Sequence, residues 1–164
     1  MRNLFIIFFL LLSFFGNSQE TLQELLKTHN TERVPYISVQ ELAMPKTDAI
    51  LLDARELKEY NVSHIPNSTY VGYDDFDLDT VVKSIPDTSK TIVIYCSVGI
   101  RSEDIAEQLK KKGYTNVYNL FGGIFEWKNN NFPLINLEGN ETDYIHAYSK
   151  DWSKWLLKGT KIYE

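Results

Sequence analysis

Thr91-Ile92-Val93-Ile94-Tyr95-Cys96-Ser97-Val98-Gly99-Ile100-Arg101-Ser102 runs from an unbroken apolar stretch, through a turn of small residues, into a helical pattern. Five β-branched or aromatic residues in succession read as a strand buried on both faces, and a strand of that kind belongs to a parallel sheet. Cys96 is the only cysteine of the chain and stands where the strand ends and the helix begins. Backbone N–H groups converge at such a junction, and with Arg101 five positions on they favour a thiolate and any anion beside it.

Outward from this segment, short apolar runs alternate with amphipathic ones. On the N-terminal side Val34 to Ile37 reads as a strand, Ser38 as the N-cap of a brief helix through Ala43, and Ala49 to Leu52 as a buried strand. Arg55 to Tyr60 reads as a short helix with Leu57 and Tyr60 inward, Thr69 to Val71 as a small strand, and Asp79 to Ile85 as a helix stopped by Pro86. On the other side Ser102 to Lys112 places Ile105, Ala106 and Leu109 on one face, with Gly113 as the left-handed stop. Asn116 to Leu120 returns as a strand, Gly122-Gly123 breaks it, and Ile124, Phe125 and Trp127 mark a last short helix. The alternation predicts an α/β fold, a central mostly parallel sheet of about five strands with helices on both faces. In such sheets ligands sit beyond the carboxyl ends of the strands, which is where Cys96 falls.

The flanks divide the chain further. Met1-Arg2-Asn3 and the 12 residues Leu4 to Phe15, apolar except for Ser13, resemble a secretory signal cut after Ser18, an apolar run shorter than the ~20 residues that cross a bilayer. The expected location is therefore periplasmic or extracellular, with no stable membrane span. Residues 19–33 form an N-terminal extension with Leu22, Leu25 and Leu26 at helical spacing, 34–135 the domain, and 136–164 an aromatic-rich extension. In the latter Ile145, Tyr148, Trp152, Trp155 and Leu156 recur at near-helical intervals, read as a helix packed on the domain or, alternatively, offered to a partner.

Charge and cysteine content exclude several classes. The net charge of −5 becomes −6 once Arg2 is removed with the signal, and the lysines form no basic stripe, so nucleic acid is not an expected partner. A single cysteine cannot form an internal disulfide, and an exported thiol is a liability unless it is buried or used. With His29 and His146 outside the alternating core, no metal-ligand cluster emerges and no cofactor is implied. His64, followed by Ile65-Pro66, reads as a turn histidine. Gly122-Gly123 lacks the lysine or serine of a phosphate loop and reads as a tight turn.

Three segments of Val34 to Ile135 resemble the rhodanese-like domain family. They are Leu51-Leu52-Asp53-Ala54-Arg55-Glu56 with Glu59-Tyr60 and His64-Ile65-Pro66; the loop Cys96 to Arg101; and Asn119-Leu120-Phe121-Gly122-Gly123-Ile124 with Trp127 and Pro133. The resemblance implies a sulfurtransferase of the thiosulfate type. Its cysteine thiolate takes a sulfane sulfur from a donor such as thiosulfate or polysulfide and passes it, as a persulfide, to cyanide or a thiol, possible acceptors including a thioredoxin-like protein. Cys96 and Arg101 are then the catalytic pair, and Ser97, Val98, Gly99, Ile100 and Ser102 the substrate-binding loop whose N–H groups face the sulfur. Asp53 and Arg55 read as an ion pair bracing that loop rather than as substrate groups. The chain departs from the family pattern at Ser63, where glycine is usual, and at Asn67-Ser68, where Gly-Ala is usual, and Glu103 and Asp104 would oppose an incoming anion if they faced the pocket.

Two other functions compete. Cysteine-dependent phosphatases and arsenate reductases also pair a cysteine with an arginine, but place five residues between them to wrap a tetrahedral oxyanion. Ser97 to Ile100 make four, a smaller ring better suited to one sulfur atom. The other is a non-catalytic binding module of the cell envelope that uses the aromatic tail as its contact surface.

Overall fold

Every residue of the strand Ile92–Tyr95 is buried, and it runs down the middle of a five-stranded sheet in which all neighbours are parallel. The computed structural model describes residues 20–163; the expected signal segment 1–18 lies outside the described residues. In chain order the elements are α1 (Leu22–His29), β1 (Tyr36–Ile37), α2 (Val39–Leu42), β2 (Ile50–Asp53), α3 (Leu57–Val62), β3 (Thr69–Tyr70), α4 (Leu78–Ser84) and β4 (Ile92–Tyr95). They continue with α5 (Arg101–Lys111), β5 (Val117–Leu120), α6 (Gly123–Asn129), β6 (Leu134–Ile135), β7 (Glu141–Thr142), β8 (Tyr144–His146), a 3-10 turn (Trp152–Trp155) and β9 (Thr160–Ile162). The sheet order is β1-β5-β4-β2-β3.

The side-chain alternation of β4 divides the core in two. Ile92 and Ile94 join Leu52, Val81, Ile105, Ala106 and Leu109 under α4 and α5. Val93 and Tyr95 point the other way, to Leu25, Val39, Ile124, Phe125 and Trp127 of α1, α2 and α6. Ser38 caps α2 through Glu41 N–H, Thr21 and Glu24 form a reciprocal cap on α1, and Gly113 ends α5 in the left-handed region.

Two expectations need correction. In α3 the inward residue is Glu59, wholly buried, while Leu57 is 53 % exposed and Tyr60 half-buried. Apolarity alone misplaces this face because a buried cation, described below, draws the carboxylate inward. The C-terminal stretch is not one helix. It makes a parallel pair, β8 with β9, joined through the 3-10 turn, and Tyr148 has φ 63, a conformation that breaks any helix running through it. The packing half of that expectation holds, since Ile145, Ala147 and Leu156 are fully buried in the same cluster as Val93 and Tyr95.

The departures at the His-Ile-Pro turn are absorbed locally. Asn67 takes φ 63, a region asparagine tolerates better than most residues, and the Ser68 hydroxyl lies 2.9 Å from Tyr95 Oη, to which it donates because the Tyr95 proton is given to Asp53. His64 stacks on Tyr60 with ring centroids 4.0 Å apart, and burial moves its pKa down, against the opposing pull of its contact with the Tyr60 carbonyl. It behaves as a packed turn residue.

Candidate active site

Beyond the end of β4 the chain curls around the Cys96 side chain, which is 1 % exposed and forms the floor of a cavity of about 100 Å³. Gly99, at φ 107, turns its N–H onto Sγ at 3.2 Å. The Ser102 hydroxyl lies 3.5 Å from Sγ and 2.8 Å from Asn119 Oδ1, so its single proton serves either acceptor and can turn to sulfur when the thiol ionises.

N–H groups face the sulfur because the loop carbonyls are tied down elsewhere. The Gly99 carbonyl accepts from Asn30 Nδ2 and Asn119 Nδ2, both at 2.8 Å. The Cys96 and Ser97 carbonyls accept from Ile124 and Phe125 N–H, at 2.9 and 3.1 Å, in the first turn of α6. That contact explains Gly123: at φ 55, a Cβ built there would stand 2.2 Å from the Cys96 carbonyl oxygen. Gly123→Ala must push the loop off α6, and the expected cost is about 2 kcal/mol or more, read as a lower denaturant midpoint together with slower alkylation of Cys96.

Burial alone would raise the Cys96 pKa. It is outweighed by the Arg101 charge and by hydrogen bonds from Ser102 and Gly99, so the thiol is held below its ordinary value. Arg101 is itself fixed by Glu59 in a two-point fork, Nη1 to Oε2 at 2.7 Å and Nη2 to Oε1 at 2.9 Å. Glu59 also accepts from Ser97 Oγ and from Glu56 N–H, both at 3.0 Å. Burial opposes its charge, yet the Arg101 and Arg55 cations and these donors keep its pKa below the usual carboxylate value. The far face of the guanidinium lies over the Tyr148 ring, 4.8 Å from its centroid.

Of the residues read from the sequence, Cys96, Ser97, Val98, Ile100 and Arg101 line the cavity, while Gly99 and Ser102 reach the sulfur from the side. Asp53 and Arg55 do not touch it. They form a fully buried pair, Arg55 Nη2 to Asp53 Oδ2 at 2.7 Å, with Arg55 also donating to the Ser63 carbonyl and Tyr95 Oη to Asp53 at 2.6 Å. This network ties β2 and the His-Ile-Pro turn to the residue just before Cys96. Glu103 turns away from the cavity to Asn119 Nδ2, and Asp104 accepts from Tyr73.

Glu59, Asn119, Tyr148 and Trp152 were not foreseen as parts of the site. For Glu59 the available signal was its place in the early segment, in a chain whose loop carries a lone arginine. Tyr148 and Trp152 were visible only as members of the tail's aromatic stripe. His146 is likewise not outside the core: it is fully buried on β8 against α3, with its pKa moved down by burial, and its Nδ1 accepts the Tyr148 N–H at 3.1 Å.

Comparison with known proteins agrees with this architecture. Residues 38–130 match the family model for the rhodanese-like domain, more than half of the chain. The chain is 37 % identical over 97 residues to the tRNA uridine(34) hydroxylase of the Aster yellows witches'-broom phytoplasma, but spans only 32 % of that protein's length against 56 % of its own. It is 28 % identical over 97 residues to the thiosulfate sulfurtransferase GlpE of Coxiella burnetii, covering 59 % of this chain and 87 % of that one. Among solved structures, the rhodanese-like domain of an Anabaena protein superposes with a TM-score of 0.56 at 22 % identity, over 63 % of this chain and 80 % of that one, a likeness that speaks for the fold. With a parallel sheet that delivers one cysteine into an amide-lined loop, and a sequence model matching four of its five strands, the chain belongs to the rhodanese-like domain family.

Proposed function

We propose that the protein is a sulfurtransferase that carries a sulfane sulfur as a persulfide on Cys96. The observation that carries this reading is the convergence of the Gly99 N–H, the Ser102 hydroxyl and the Arg101 charge on one buried sulfur that opens into a small cavity. A thiolate so placed attacks the outer sulfur of a donor such as polysulfide or thiosulfate. The Sγ–S bond forms as the donor's bond to that sulfur breaks, and its electron pair leaves with the donor fragment. A thiol or cyanide acceptor then attacks the outer sulfur and returns Cys96 to the thiolate. The N–H groups that hold the thiolate also serve the persulfide anion, so neither step calls for a metal ion. The likeness to the Coxiella sulfurtransferase, which extends over most of that protein's length, supports the same chemistry.

The proposal includes export, on the strength of the N-terminal pattern, and a thiol acceptor of the thioredoxin-like kind. Among the described residues no helix is long and apolar enough to cross a membrane.

The test is intact-mass spectrometry after incubation with polysulfide. One sulfur atom is gained, released by cyanide as thiocyanate, and the gain is lost in Cys96→Ser. A protein with its thiol intact that gains no sulfur from polysulfide or thiosulfate would overturn the proposal.

A further inference from the structure

Three features of the cavity bear on which donor it takes. First, the Arg101 charge is already spent: both terminal nitrogens bond Glu59, the carboxylate of Glu59 is fully buried, and the guanidinium side chain is only 15 % exposed. With the Cys96 thiolate counted, arginine, glutamate and sulfur together carry one negative charge, and a second anion entering meets no free cation among the described residues of the wall. Second, Val98, Ile100, Tyr148 and Trp152 make the rest of the lining largely apolar. The segment between the two aromatics adds Lys150 and Asp151, opposite in sign. Third, Tyr148 is held in a left-handed conformation that a non-glycine residue adopts at a cost. Two bonds fix it there, Tyr148 N–H to His146 Nδ1 at 3.1 Å and Ser149 N–H to the Ala147 carbonyl at 2.8 Å. The strained turn aims the ring onto Arg101 and into the cavity.

Resting on the sulfur-transfer reading of Cys96, we infer that the Arg101 cation neutralised by Glu59 and the aromatic wall of Tyr148 and Trp152 select an organic hydropersulfide with a small apolar R, reacting in its protonated form R–S–SH, over sulfur donors whose R carries an anionic group. The Cys96 thiolate attacks the terminal sulfur of R–S–SH and forms the Sγ–S bond as the donor's S–S bond breaks. R–S⁻ departs and takes the proton from the new Cys96–S–SH, so the protein keeps a persulfide anion and the donor leaves as the thiol R–SH. The sulfane sulfur moves without net oxidation or reduction. Tyr148 and Trp152 determine specificity by shaping the entrance, and Glu59, from behind it, by neutralising Arg101.

The experiment compares two donors with the same reacting bond, propyl hydropersulfide and sulfoethyl hydropersulfide, as second-order rates of Cys96 loading followed by intact mass. Each rate is divided by that of the same donor with free cysteine, which removes intrinsic reactivity. In the full chain the propyl donor is expected to be favoured by about tenfold or more, the effect of adding one charge beside an uncompensated like charge. Glu59→Gln frees the guanidinium for an anion and Trp152→Ala opens the apolar wall, and either is expected to bring the ratio to within about threefold. Circular dichroism of each variant shows that it has folded, and the two act on different parts of the wall. Equal or faster loading by the sulfonate donor in the full chain overturns the inference, as does a ratio that neither variant moves. Failure of both donors to load Cys96 would instead bring down the sulfur-transfer reading beneath it.

Discussion

Arg101→Met is expected to slow sulfur loading of Cys96 at neutral pH by about 10²-fold, the scale on which one fixed charge or donor acts in a water-poor site. The substitution removes the cation that most opposes burial in setting the Cys96 pKa, so the thiol rises and less thiolate is present. Iodoacetamide alkylation followed against pH checks this directly: the midpoint of the variant moves up, whereas a purely structural role for Arg101 would leave it in place. Stability carries a second signature. In the native protein Glu59 is held below its ordinary value, so it contributes stability that is present above the unfolded carboxylate pKa and is lost as pH falls through the folded value. Without Arg101 burial is opposed by Arg55 and the Glu56 N–H, so the folded value moves up and this pH-dependent loss shrinks. The variant gains stability relative to wild type on acidification from pH 7, measurable as urea midpoints at two pH values.

Asp53→Asn is expected to cost about 3–5 kcal/mol, the largest loss foreseen for a single conservative change, because it leaves Arg55 charged, fully buried and without its carboxylate. Arg55 has no surface to retreat to: its Nη2 is pinned to the Ser63 carbonyl, and among the described residues its Nη1 has no partner. The Tyr95 hydroxyl loses its charged acceptor at the same time, one residue from Cys96. The informative comparison is Asp53→Asn with Arg55→Met, which removes both charges from the interior. The double variant is expected to recover much of the loss, and a chevron or equilibrium urea curve of the three proteins measures it. If the single change is as mild as a surface substitution, the pair does not brace the loop.

The contrast between what could be read in the sequence and what could not follows from the range of the interactions. The strand Ile92 to Tyr95, the helix behind it and the loop between them declare themselves by local chemistry: β-branched continuity, an apolar face at helical spacing, and small residues ahead of a cation. Gly113 and Ser38 act within one turn of their own position. Glu59 is different, because it is drawn inward by a guanidinium 42 residues away, and a pattern that counts only apolar positions turned the α3 face toward Leu57 instead. The tail fails for a related reason. Intervals of three and four fit a helix, but the same side chains also satisfy a strand, a turn and a strand when one residue between them is left-handed. Asn119 shows the limit most plainly, since its amide organises Gly99, Ser102 and Glu103 from the neighbouring strand β5, a role that its place in the closing segment does not reveal.

The family match ends at residue 130, yet the wall opposite Arg101 is built at Tyr148 and Trp152, in the loop after β8 and the 3-10 turn that follows it. Reactive sulfur and gatekeeper are therefore encoded in separate stretches of polypeptide. Drift or grafting confined to the last thirty or so positions could retune which small molecules are admitted while the nucleophile and its amide cradle stay untouched, so two chains with interchangeable sheets need not share a metabolic role.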